Sequence, residues 1–158
     1  MIRKTLTYLD YEGVEHTKDF YFSLNQTEFA LINNRFPGGF DAYLKRIQED
    51  HNEEKLLDLL TLFIVEGYGI RLSDDDFIKE DEQGRKLGLR FKCTEACDNL
   101  ITELLEKENN IAAFLIGMLP KKIQKKADEG LKDMMAKNGG NISALPTAEP
   151  EKATTGDN

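Results

Sequence analysis

A chain of 158 residues, 40% of them hydrophobic, has enough apolar side chain for a real core and suggests one domain with appended segments. Its 29 acidic against 21 basic residues, a formal net charge of −8, oppose the electrostatic attraction that dominates nucleic-acid affinity. Cys93 and Cys97 make no disulfide framework, and no apolar run follows Met1-Ile2-Arg3-Lys4, so no secretory signal is expected and a reducing cytoplasm fits best.

The first 24 residues predict a β-hairpin. Ile2, Leu6 and Tyr8 share one side of a two-residue period, Phe20, Phe22 and Leu24 share one side of the next run, and Asp10-Tyr11-Glu12-Gly13 supplies the turn. Thr5, Thr7, Thr17 and Asp19 then face solvent. An isolated hairpin is marginal in water, so its apolar face has to cover helices. Asn25 with Glu28 has the form of a capping box and opens a helix carrying Phe29, Ile32 and Phe36. Pro37-Gly38-Gly39 ends that helix. A second amphipathic helix with Phe40, Tyr43, Leu44 and Ile47 on one face runs to a break at His51-Asn52.

Lys55–Gly69 follows, the most apolar stretch of the body. Leu56, Leu57, Leu59, Leu60, Leu62, Phe63, Ile64 and Val65 leave only Glu54, Asp58 and Thr61 as a polar stripe, so a helix here belongs inside protein. It is shorter than the about 20 apolar residues a bilayer requires. Gly67-Tyr68-Gly69 suits a left-handed C-terminal cap. Residues 70–92, with Asp74-Asp75-Asp76 and a charged run to Gly88, read as a long loop or irregular hairpin. After Thr94, the spacing of Cys97, Leu100, Ile101, Leu104 and Leu105 predicts a helix laid on the core.

Asn109-Asn110 can cap a further helix, Ile111–Leu119, that is apolar on both faces. Two roles stay open for it. It can be a second buried core helix, or one face can dock on the preceding helix while Ile111, Phe114, Leu115, Met118 and Leu119 meet another protein's amphipathic helix. Lys121 and Lys122 then begin a positively charged extension suited to an acidic partner segment or to the acidic body itself. Residues 1–120 carry 14 basic and 23 acidic groups, 121–138 carry 6 and 3, and 139–158 carry 1 and 3. The expected organisation is a hairpin plus helical domain at 1–120, a basic helical extension at 121–138 and a disordered tail at 139–158. The fold class is α+β, mainly α, with the N-terminal hairpin packed on a bundle of about five helices.

Motifs for chemistry are missing. The only histidines, His16 and His51, stand apart from Cys93 and Cys97, so a four-ligand zinc site is not expected. Counted from Asp74, the sixth and twelfth positions hold Lys79 and Arg85, where a calcium loop needs glycine and glutamate. Neither a phosphate loop nor a nucleophile elbow occurs. No catalytic residue, metal or cofactor is expected.

FSLNQTEF, FPGGFDAYLKRI, the apolar helix ending EGYG, DDFIK, TEACDNLITELL and NIAAFLIGMLP, taken in that order from Met1 to about Pro120, resemble the tail assembly chaperones of long-tailed phages infecting Gram-positive hosts. Residues 80–90 are longer and more charged than that pattern, and Cys93 and Cys97 replace its more usual residues. The resemblance implies a non-enzymatic protein of the host cytoplasm, absent from the mature virion, that coats the tape measure protein and keeps it soluble until the tail tube polymerises. It also implies the major tail (tube) protein as a further partner, a longer product made by ribosomal frameshifting, and no nucleic acid or membrane. Self-association is compatible with it. The alternative is a small structural tail or connector protein retained in the virion.

Overall fold

The computed structural model describes residues 1–126 and Glu129. β1 (Ile2–Leu9) and β2 (Glu15–Phe22) pair antiparallel, in a register running from Ile2↔Phe22 to Leu9↔Glu15. Alternation puts Ile2, Leu6, Tyr8, Phe20 and Phe22 against the helices. On the opposite face Thr5 donates to Asp19 at 2.6 Å, and Thr7 lies 2.9 Å from Thr17. A one-residue slip would carry each of these side chains to the wrong face. Asp10 closes the turn, its carboxylate accepting from the Glu12 and Val14 N–H groups.

α1 (Gln26–Asn34) opens on a complete capping box: Glu28 N–H donates to Asn25 Oδ1 and Asn25 N–H donates to Glu28 Oε2, each at 2.8 Å. Gly38 and Gly39 turn the chain with φ of 81° and 89°, the left-handed region that glycine enters without strain. The Asn33 side chain accepts from Phe40 N–H at 2.8 Å and so sets where α2 (Phe40–Asp50) begins. Phe40, Leu44 and Ile47 are buried, and Phe36 stacks on Tyr43 at 4.4 Å. His51 in the left-handed conformation ends α2, and Asn52 caps α3 (Glu53–Gly67) by accepting from Lys55 N–H.

α3 occupies the centre with half of its eight large apolar side chains. Leu59, Leu60, Phe63 and Ile64 are buried, whereas Leu57 is 39% exposed. At the C-terminal end the expected left-handed cap is replaced. Tyr68 is extended, and α3 passes straight into β3 (Tyr68–Arg71), which pairs antiparallel with β2 and with β4 (Phe77–Ile78). The hairpin is therefore half of a four-stranded sheet ordered β1-β2-β3-β4. The glycines of this stretch serve close approach: a Cβ on Gly69 would lie 2.6 Å from the Phe77 ring.

Residues 70–92 resolve into the β3–β4 hairpin, an isolated bridge between Glu80 and Lys86, and α4 (Leu87–Phe91). Phe91 stacks on Tyr68 at 4.3 Å. α5 (Glu95–Glu106), capped by Thr94, lies on β1 with Cys97, Leu100 and Leu104 buried; Lys4 reaches Glu103 at 2.7 Å. Leu105, expected on the buried face, is 43% exposed. α6 (Glu108–Met118) starts from Lys107 without a side-chain cap. Instead of capping it, the Asn110 side chain donates to the Glu103 carbonyl at 3.1 Å. Residues 121–126 are helical again. The rest of the expected basic extension except Glu129, and the expected disordered tail, lie outside the described residues.

Candidate functional site

One face of α6 is covered by its neighbours, while Ala113 on the other side is exposed and Ala112 and Ile116 are half-buried. The Phe114 ring meets Phe22 edge-on at 5.2 Å, and a Cβ on Gly117 would come within 2.9 Å of Ile2. A Cβ on Gly67 of α3 would sit 2.8 Å from the Met118 sulfur. Ile111, Phe114, Leu115, Met118 and Leu119 are all buried, Phe114 to 1% exposure. The surface expected to meet a partner is therefore interior, since β1, β2, α3 and α5 supply the cover that such a helix requires. Of the seven residues expected at the site, only Lys121 and Lys122 are exposed.

A cleft of about 220 Å³ stays open beside the end of α6. Phe29 of α1 and Phe40 of α2 form one wall, Leu115, Leu119 and Ile123 the other, and the buried Phe63 of α3 lies between them. Asp41 and Lys126 bring opposite charges to its lining. Leu115 and Leu119, expected to meet a partner, border this cleft, while Phe29, Phe40, Ile123 and Lys126 of its lining were not among the expected residues. No single helical face joins Ile123 to Leu115 and Leu119, because α6 ends at Met118 and Leu119 is extended ahead of Pro120.

Pro120 opens the helical segment 121–126, where its missing N–H costs no hydrogen bond. Its carbonyl accepts from Ile123 N–H at 2.8 Å, and the Gln124 side chain donates to the Leu119 carbonyl at 2.7 Å. At the β2–α1 junction Leu24 N–H donates to the Met118 carbonyl and Ser23 N–H to the Gly67 carbonyl, both at 2.8 Å. Lys121, Lys122, Lys125 and Lys126 are exposed, and none takes part in the ion pairs among the described residues. By contrast Lys4, Lys79 and Lys86 each hold a glutamate of the body. Burial first, and the Lys121 charge second, lower the pKa of the Met1 α-amino group.

A second, more open groove of about 440 Å³ between Asn25, Glu28 and Phe77 is of mixed polarity, and Lys79 already bonds Glu28 there at 2.6 Å. Among the described residues no group of three or more His, Cys, Asp or Glu could hold a metal ion. Burial pushes the Cys97 thiol up to about 11, which keeps it a neutral, unreactive thiol at ordinary pH. No helix among the described residues is long and apolar enough to cross a membrane.

A family profile described as phage tail assembly chaperone matches residues 1–158. The chain belongs to that family. No curated protein and no solved structure matches it. A tail assembly chaperone acts through protein partners, so the feature to account for is a surface another polypeptide can occupy. In the chaperone described above, the interior face of α6 is unavailable without unfolding, whereas the cleft bordered by α1, α2 and 121–126 is open.

Proposed function

We propose that this chaperone binds the tape measure protein of a long-tailed phage, keeps it soluble in the host cytoplasm while the tail is built, and is left out of the finished virion. The observation that carries this is the family match over the whole chain, joined to an acidic body with an open apolar cleft. A body of net charge −8 repels copies of itself, which opposes coalescence of complexes holding an aggregation-prone helix. No covalent chemistry is needed, and no cofactor. Release follows if tube subunits compete for the same apolar stretches, so each copy binds modestly and many copies act on one long target. The major tail (tube) protein is the second partner in this scheme. A longer, frameshifted product would extend the chain beyond the basic segment.

Co-expression with the tape measure protein of the same phage tests it. The expected result is a tape measure protein that is soluble with the chaperone, insoluble without it, and retained when a tagged chaperone is captured. A tape measure protein that stays insoluble, or stoichiometric chaperone in purified virions by mass spectrometry, would overturn the proposal; the second result would favour a structural tail component.

A further inference from the structure

We infer that the cleft between α1–α2 and α6 takes an amphipathic helix whose apolar side is flanked by carboxylates, and that Lys122 and Lys126 select for that charge. The inference rests on the chaperone role proposed above and adds the chemistry of the segment recognised. Its volume, about 220 Å³, is below the roughly 300–1,000 Å³ of small-molecule sites. A space of that size between aromatic and aliphatic walls suits one or two large side chains spaced a turn apart on a helix.

Part of the cationic charge of the body is matched from within, Lys4 with Glu103, Arg35 and Lys86 with Glu66, Lys79 with Glu28, while Lys18, Lys55, Arg90 and Lys92 enter no ion pair among the described residues; what sets 121–126 apart is four exposed lysines within six residues beside the cleft. The four lysines of 121–126 stand outside every ion pair among the described residues, although the body is rich in carboxylates. Lys126 lines the cleft together with Ile123, and Lys122 falls one helical turn before Lys126 on the same side. An apolar slot with Lys126 in its lining and Lys121, Lys122 and Lys125 close by in sequence, against the single carboxylate of Asp41, is complementary to a helix with leucine or phenylalanine at its centre and glutamate or aspartate beside them. The acidic body discourages basic segments over the rest of the surface, so the lysine cluster is where an acidic one gains.

The test uses the full chain and two fluorescein-labelled helical peptides with the same leucine and phenylalanine face, one flanked by glutamates and the other by lysines. Fluorescence anisotropy should show the acidic peptide bound about tenfold more tightly, an advantage that shrinks at high salt. Lys122→Glu with Lys126→Glu should erase or invert the preference, and Lys18→Glu with Lys92→Glu, the same charge change at exposed positions outside the cleft, should leave it. These exposed lysines can be changed without touching the core, so the result does not depend on a core variant folding. Equal binding of the two peptides, or a preference that survives the Lys122→Glu, Lys126→Glu pair, overturns the inference. So does a tenfold gain in peptide affinity on Leu131→Ser, Met134→Ser and Met135→Ser, which would assign the cleft to the chain's own segment. A dimer that Ile123→Asp dissociates in sedimentation would assign it to a second copy, with the same consequence. Co-expression separates the two levels: a Lys122→Glu, Lys126→Glu chain that solubilises the tape measure protein undiminished sinks the cleft assignment alone, whereas failure of the unaltered chain sinks the chaperone role.

Discussion

Phe114→Ala discriminates between α6 as core and α6 as docking surface. The ring is 1% exposed and packs edge-on against Phe22 at 5.2 Å, so truncation removes a buried ring and leaves a cavity that the sheet and α3 cannot fully close. Phe→Ala at such a position costs about 3–5 kcal/mol, a large part of the roughly 5–15 kcal/mol that holds a domain folded. At roughly 3 °C per kcal/mol for a chain of this length, the thermal midpoint should fall by about 12 °C. Far-UV circular dichroism melts measure it, with Leu31→Ala, at a side chain 60% exposed on α1, as a control expected within about 0.5 kcal/mol of the parent. The capture assay is run below both midpoints. A Phe114→Ala chain that melts with the parent yet no longer holds the tape measure protein would refute the core assignment and return this face to the partner.

Three further outcomes follow from the packing and titration of particular groups. Gly88→Ala gains about 1 kcal/mol of helix propensity but puts a Cβ 2.6 Å from Val65 Cα, backbone against backbone; net destabilisation of about 2 kcal/mol or more is expected in urea melts, and a neutral or stabilising result would contradict that close approach. Asn25→Ala removes half of the α1 capping box and should cost about 1 kcal/mol by the same measurement. For Cys97, the folded thiol holds its proton up to about 11 while the unfolded one releases it near 9, so the unfolded state binds fewer protons in that window and stability falls as pH rises through it. Cys97→Ala should flatten that part of the stability–pH curve relative to the parent; identical slopes would show that Cys97 does not ionise on unfolding.

Local signals were legible where they sufficed to determine structure. The alternation of Ile2, Leu6 and Tyr8, the Asn25–Glu28 box and the Pro37-Gly38-Gly39 turn act over a few residues, and each appears as its pattern predicts. β3 and β4 were not legible as strands of the main sheet. Only four and two residues long, they owe their conformation to the pairing of Tyr68 with Phe22 and of Ile70 with Ile78, which are tertiary facts. α4 is five residues, below what local propensity supports, and exists because Gly88 lets it press on α3. The candidate site was half legible for the same reason. That α6 is apolar on both faces was visible, but which neighbours cover it was not; the cleft combines residues from four separate helices with 121–126 and has no contiguous signature.

The backbone bonds from Leu24 to Met118 and from Ser23 to Gly67 clasp the finish of α6 and of α3 to the doorway of α1. The segment from Leu119 to residue 126 thus departs from a pinned origin. The α1 and α6 sides of the cleft are thereby tied to one strand end, so loosening this clasp would alter the spacing between them.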